Sequence, residues 1–523
     1  MIKGKRICCL AGMILCFICT AMLAGCQETP KESAVVSKAD GLSEDRIAVP
    51  LAEGETQKIK LPDRWEETRK WSKDRWIFHT DIELESIETG NLPVVEVEQC
   101  SMTEEDLARL TEYFAEGQEL YVPQLVSKEV YQNKLERLQN MEGVYSVYTI
   151  DILMSDEASM LRKGVELAPP ESELKEQKTE IRFGPRVVDE TEKAIYNIPD
   201  DAYDSYDKDL FFSADVGKER KSHISASQYD PDVGTESTYE WMEGDALLYQ
   251  KKDIDWYKRT HAQYADLPGM DQQWEALLEH CTVMMTKENI NEEEGRKQAE
   301  ALLEELGIGN KIYNDSEPVL WFPDGTYEDA VASSYYDSLW YADLEQAEPG
   351  YVYTFLNEAG GQPVDLKYGG VMWGSPDDME NGNTYAPSMP AETVSIAVTR
   401  SGVKMFSWTG RCREVSTVAE NVKLLSFEKM QERIVKYVSY LFPSSQPMDN
   451  PTLFRFDLEN LTFGYTYIPA YENPAHAWMV PAWFLELRHA YDDPELDSVE
   501  ELSDGSWLYL TFNAMDGGIV EMG

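Results

Sequence analysis

Val394-Ser395-Ile396-Ala397-Val398-Thr399, then Arg400-Ser401-Gly402, then Val403-Lys404-Met405-Phe406-Ser407-Trp408 places two β-rich runs on either side of a very short turn. Runs of this length rich in β-branched and aromatic residues read as strands. A glycine-containing link this short can only return the chain beside itself, which makes the pair an antiparallel hairpin. The expectation for the surrounding chain is therefore antiparallel sheet.

Working outward, further strands are expected upstream at Val319–Phe322 and Tyr351–Leu356. Before them, Asn289 or Asn291 can cap a helix, with Glu292, Glu293 and Glu294 at its positive end and Ala299, Leu302, Leu303 and Leu306 at core-face spacing. Gly307 ends it. Downstream the order returns. Ser426 caps a helix whose Phe427, Met430, Ile434 and Leu441 face one side, and Pro443 follows. Strands are then expected at Phe454–Leu458, Phe463–Ile468, Met479–Leu487 and Trp507–Asn513, with a turn at Asp516-Gly517-Gly518 before Ile519-Val520-Glu521. Each half is helix first and antiparallel strands after, which reads as a diverged tandem repeat with a helix over one face of each sheet.

The earlier chain is α+β by pattern. Trp76 to Glu85 is strand-like, and Val94-Val95-Glu96-Val97-Glu98 interleaves apolar and acidic residues. Thr103 with Asp106 is similar to a capping box ahead of Leu107, Leu110, Tyr113 and Phe114, and Gly117 closes that helix. Ser127 caps a second helix through Leu138, Val144 to Tyr148 reads as a strand, and Pro169-Pro170-Glu171 marks a loop. The expected organisation is a multidomain α+β protein. It comprises a leader at 1–25, a polar tether at 26–58, an N-terminal domain at 59–270, a first repeat at 285–410 with a long insertion between Trp321 and Val394, and a second repeat at 411–523.

Lys3, Lys5 and Arg6 precede an apolar run from Ile7 to Leu23, and Leu23-Ala24-Gly25-Cys26 closes it before the polar Gln27-Glu28-Thr29-Pro30-Lys31. The polar run begins too early for a plain transmembrane anchor of about 20 apolar residues. The four-residue phrase resembles the lipobox of bacterial lipoproteins. That resemblance implies cleavage between Gly25 and Cys26, lipidation of the Cys26 thiol, and palmitate-like acyl chains holding the protein on the outer face of a cell membrane. Cys8, Cys9, Cys16 and Cys19 would leave with the leader. Cys100, Cys281 and Cys412 then remain as three widely spaced thiols, which excludes a disulfide scaffold, and no CxxC remains for zinc or thiol exchange.

The formal net charge is −49, which argues against nucleic acid as a partner and against a purely charge-driven hold on anionic lipid. Asp200, Asp204 and Asp207 crowd one loop, yet their spacing is wrong for an EF-hand and the required glycine is missing, so they read as a solvated turn and no metal is expected. The six histidines, His79, His223, His261, His280, His476 and His489, show no HExxH spacing. There is no GxSxG and no phosphate-cradling GxxxxGK[ST], and Gly360-Gly361 and Gly369-Gly370 read as turns. No catalytic residue or cofactor is assigned. Within the insertion, Tyr335, Tyr336, Trp340 and Tyr341 stand beside Asp337, Asp343 and Glu345, which makes them a candidate patch for sugar or peptide side chains.

Two resemblances bear on function. Val480-Pro481-Ala482-Trp483-Phe484 followed by Phe512-Asn513-Ala514-Met515-Asp516-Gly517 resembles the ending of PepSY-like domains, in which a proline-aromatic strand precedes an Asn-Ala-x-x-Gly hairpin. It covers about residues 290–523 and implies kinship with extracytoplasmic regulators of the cell envelope; the long insertion departs from a compact repeat. Cys26-Gln27-Glu28-Thr29-Pro30, with Val35-Val36 and Lys38, resembles the mature start of an uncharacterised clostridial-type lipoprotein family of Gram-positive bacteria. The expected function is a non-enzymatic module contacting an envelope protein or peptide. The alternative is a solute-binding or carbohydrate-processing lipoprotein with an inter-domain cleft; the sequence does not fix the oligomeric state.

Overall fold

The hairpin at 394–409 is formed with a two-residue turn, Arg400-Ser401, because Thr399 pairs with Gly402. The structure, a computed structural model, describes residues 42–520 apart from 73, 141–157, 186–188, 198–209, 231–235, 251–252, 255–269, 325–342, 366–388, 442–452, 471–472, 474–475 and 493–505. The expected lipidation site Cys26 and cleavage residue Gly25 lie outside the described residues. So do the patch Tyr335, Tyr336, Trp340 and Tyr341, the acidic loop at Asp200, Asp204 and Asp207, the strand expected at 144–148, Gly369, Gly370 and Pro443.

In chain order, strands β1 (Gln57–Ile59), β2 (Arg64–Trp71), β3 (Trp76–Glu83), β4 (Ile87–Thr89) and β5 (Val94–Gln99) come first. Helix α1 (Glu104–Ala115), strand β6 (Leu120–Tyr121), helices α2 (Lys128–Asn140) and α3 (Glu190–Tyr196), and strands β7 (Phe211–Val216), β8 (Ser222–Ser227), β9 (Thr238–Glu243) and β10 (Ala246–Tyr249) follow. Helices α4 (Met270–Lys287) and α5 (Glu292–Glu305) precede β11 (Lys311–Phe322), β12 (Glu348–Ala359), β13 (Gln362–Pro363), β14 (Thr393–Thr399), β15 (Gly402–Thr409) and β16 (Cys412–Ala419). Helix α6 (Phe427–Tyr440) leads into β17 (Leu453–Pro469), β18 (His476–Asp492), β19 (Ser506–Asn513) and β20 (Ile519–Val520).

Two large, mostly antiparallel sheets result beside a two-stranded antiparallel pair of β1 and β4, and the fold is α+β. One runs β10-β11-β12-β14-β15-β9-β8-β7-β6 with β13 beside β12; the other runs β16-β5-β18-β17-β3-β2 with β19 and β20 added along β18. Its β17–β3 ladder is parallel. Strand pairing crosses the sequence boundaries expected near 270–285 and 410. β9, from the 59–270 stretch, pairs with β15, and β3 and β5 pair with β17 and β18. Hydrogen bonding thus joins early strands to late ones, which local periodicity does not register.

Helices cover one face of each sheet because their apolar stripes match it. In α1, Thr103 caps the start by accepting from the Asp106 N–H, and three acids occupy the first turn, where the helix dipole favours them. Leu107, Leu110 and Phe114 are buried against β7, β8, β9 and β15. Tyr113 was expected on that stripe but lies at its flank, where its hydroxyl donates to Glu305 of α5 at 2.9 Å. Asn291 rather than Asn289 caps α5, accepting from the Glu294 N–H at 3.1 Å. Asn289 instead donates to the carbonyls of Met285 and Gly350. Gly295 lets α5 sit directly on the sheet. A Cβ there would lie 2.2 Å from the Tyr353 hydroxyl, which donates to the Glu292 carbonyl.

On the second sheet α6 buries Phe427, Met430, Ile434 and Val438. Its expected last contact, Leu441, is only the partly buried C-cap, because Val438 already completes the stripe. Ser426 is the N-cap by backbone but makes no side-chain cap bond. The strands expected separately at 454–458 and 463–468 are one strand, β17, carried through by a bulge between Leu458 and Asn460. Trp483 is 2% exposed and contacts the rings of Phe427 and Phe463, and the Asn513 side chain accepts the Met515 N–H at 2.9 Å. The Pro-Ala-Trp and Asn-Ala phrases therefore do structural work. Gly360-Gly361 is the expected turn, joining β12 to β13 with both φ angles positive, as a type I′ turn needs.

Candidate functional site

Strand β2 ends its sheet, with β3 as its strand partner among the described residues. Every second residue of such a strand turns a backbone N–H and C=O outward, a row that can template another strand. The pleat puts Trp65, Glu67, Arg69 and Trp71 on the side of α6. Trp65 is 3% exposed, meets the Phe427 ring edge-on at 5.9 Å and donates to Glu67 at 3.0 Å. Glu67 also binds Arg69 at 2.6 Å. Beyond this anchored end, a groove of about 460 Å³ runs between Glu67, Arg69 and Trp71 and the α6 residues Glu432, Val435 and Lys436. An unpaired edge beside a helix flank is suited to receiving an extended chain.

A second constellation fills the seam between the sheets, where the chain passes from β15 to β16. Glu392 accepts from Lys311 at 3.0 Å, from Trp408 Nε1 at 2.8 Å and from Asn357 Nδ2 at 2.8 Å. Asn357 accepts in turn from Lys311 at 2.6 Å. Cys412 Sγ lies 3.4 Å from Glu392 Oε2 and 3.6 Å from the Tyr467 hydroxyl. Burial drives the Glu392 carboxyl upward, but the Lys311 charge and the hydrogen bonds from Asn357, Lys311 and Trp408 outweigh it and hold the carboxyl below its ordinary value. Burial first, and the Glu392 charge second, push the Cys412 thiol well above its ordinary value. A thiol kept protonated is a poor nucleophile. This cluster is a polar joint, and its chemistry is structural.

The three described cysteines are free, and burial raises the Cys100 thiol and pushes the Cys281 thiol up to about 12. A cleft of about 690 Å³ opens where α1 meets the sheet end, with Tyr113, Phe114 and Trp241 beside Lys218, Lys221 and Glu243. Burial, then the bond to Glu305, raises Tyr113 to about 12. The sequence reading missed this cleft; its signal is spread over α1, β9 and the β7–β8 turn.

The described histidines do not converge. His79 bonds Thr68 at 2.9 Å, His476 lies between Glu96 at 2.6 Å and Glu98 at 3.3 Å, and His489 stacks on Phe456 with centroids 4.6 Å apart. Among the described residues no three His, Cys, Asp or Glu side chains are grouped to hold a metal ion, and no helix is long and apolar enough to cross a membrane.

No protein-family model and no curated protein matches the sequence. Among solved structures, the chain is similar to an uncharacterized protein from Eubacterium rectale at 10% identity, over 88% of this chain and 94% of that chain, with a TM-score of 0.40.

Proposed function

We propose that the chain is a lipid-anchored extracytoplasmic lipoprotein whose folded part is a protein- or peptide-interaction module of the cell envelope. The observation that carries this reading is the edge of β2, without a second strand partner among the described residues, beside the groove along α6. An extended segment added to β2 would gain main-chain hydrogen bonds, and its alternate side chains would lie against Trp71 and Val435. The filled seam around Glu392 supports this reading over the rival inter-domain cleft, because converging groups there satisfy one another. A shallow hollow of about 480 Å³ beside Gly360, lined by Asn91 and Thr417, brings only Glu420 as a carboxylate.

The anchor rests on Leu23-Ala24-Gly25-Cys26 and its charged, apolar approach. The proposed tandem PepSY-like repeat from about residue 290 draws support from element order: α5 precedes the antiparallel run β11, β12, β14, β15, and α6 precedes β17, β18, β19, β20. Two experiments test these statements. Cys26→Ala is expected to abolish acyl labelling and membrane retention; unchanged labelling and retention would sink the anchor. In-cell crosslinking of the tagged, lipidated protein is expected to recover one stoichiometric envelope protein or peptide, and recovery of only wall glycan or small solute would overturn the interaction reading.

A further inference from the structure

The face of the ten-stranded sheet opposite α1 carries a serine, a histidine and an aspartate in contact. Ser213 and Asp215 stand two apart on β7, so both side chains leave the same face. That face is the one turned from the α1 core, since the alternate residues Phe212, Ala214 and Val216 are buried beneath α1. His223 on β8 is the register partner of Asp215. Its imidazole bridges the two: Nδ1 lies 3.2 Å from Asp215 Oδ1, and Nε2 lies 3.3 Å from Ser213 Oγ. The far carboxylate oxygen of Asp215 accepts from Arg220 at 2.6 Å, and Asp215 is 15% exposed against 47% for His223.

The geometry points to a nucleophilic serine at position 213, with His223 as its general base and Asp215 as the positioning residue that selects the imidazole tautomer. A nucleophilic serine needs a base within hydrogen-bond reach and a third group orienting that base, and both contacts are present. His223 is reached from outside the sheet, being 47% exposed, so the chemical class is a carboxylic O-ester presented on a large carrier. The Ser213 Oγ–acyl carbon bond forms as His223 Nε2 takes the hydroxyl proton. The ester C–O bond then breaks, and His223 returns the proton to the departing alcohol. Water attacks the acyl-serine by the same relay and releases the carboxylic acid. Ser225, the register partner of Ser213, stands on the same face and offers a hydroxyl to the developing oxyanion. This activity is separate from the proposed β2 edge, which lies on the other sheet.

The test uses the purified full chain and a fluorophosphonate probe, in which Ser213 displaces fluoride from phosphorus while His223 takes the proton. Peptide mass spectrometry is expected to locate the adduct on Ser213. His223→Ala should slow labelling roughly 100-fold or more, the usual contribution of a general base. Asp215→Ala should lose labelling and Asp215→Glu should recover part of it, which a merely structural aspartate would not do. His223→Gln replaces the alanine variant if circular dichroism shows that variant unfolded. No adduct on Ser213, or equal labelling in the folded His223 variant, overturns the proposal.

Discussion

Lys311 and Glu392 lie 3.0 Å apart with 5% and 6% of their side chains exposed, at the seam where the two sheets meet. Two charges so enclosed have lost most of their hydration, and they remain tolerable only because each satisfies the other with help from Asn357 and Trp408. Removing one partner leaves the other charged and dry. Glu392→Ala is expected to destabilise the fold by about 3–5 kcal/mol, whereas the double change Lys311→Met with Glu392→Leu should recover most of that loss. Urea unfolding of the parent and the two variants measures both, and an equal loss in the double variant would contradict the joint.

The same pair sets a pH dependence. The folded protein holds the Glu392 carboxyl below its ordinary value despite the upward pull of burial. Its contribution is therefore complete above the unfolded glutamate value of about 4.3 and is lost as pH falls through the lowered folded value. Stability measured from pH 6 down to pH 3 should fall less steeply in Glu392→Gln than in the parent. Parallel curves would show that other carboxylates dominate.

Gly295 meets Tyr353 where α5 lies on the sheet, and two effects oppose each other there. Alanine within a helix gains roughly 0.5–1 kcal/mol over glycine. A Cβ 2.2 Å from the hydroxyl of a fully buried tyrosine forces repacking, at a cost of about 1–3 kcal/mol. The larger effect wins, so Gly295→Ala should lower the unfolding midpoint, and Tyr353→Phe in the same background should restore part of it.

Cys281 is fully buried in the core formed by α4 and β11, and its thiol is pushed up to about 12. Alkylation by iodoacetamide at pH 8 should modify Cys100 first and reach Cys281 only at the rate of unfolding. Rapid labelling of Cys281 in the native protein would contradict its place in the core.

The hairpin at 394–408, the caps at Thr103 and Asn291 and the turn at Gly360-Gly361 were legible because each depends on residues close in sequence. The bulge that fuses β17 was not, since Asn460 and Thr462 look like a break until β18 runs alongside. Nor was the regrouping of β3 and β5 with β17 and β18, a pairing across more than 300 residues that no period records. Among candidate sites, the polar joint escaped because Lys311, Asn357, Glu392, Cys412 and Tyr467 are scattered over four strands and a loop. The contact of Ser213, Asp215 and His223 was within reach. Two side chains at i and i+2 and a third across a short hairpin must share a face once β7 and β8 are recognised as strands.

The most direct test of the interaction account is site-specific photocrosslinking in cells from Lys70, an exposed residue of β2, compared with Glu414, an exposed residue on β16 at the opposite edge of the same sheet. One discrete adduct is expected from Lys70, absent from Glu414 and lost when a proline at position 68 distorts the β2 edge. Equal capture from both edges, or no protein or peptide adduct from Lys70, would contradict it.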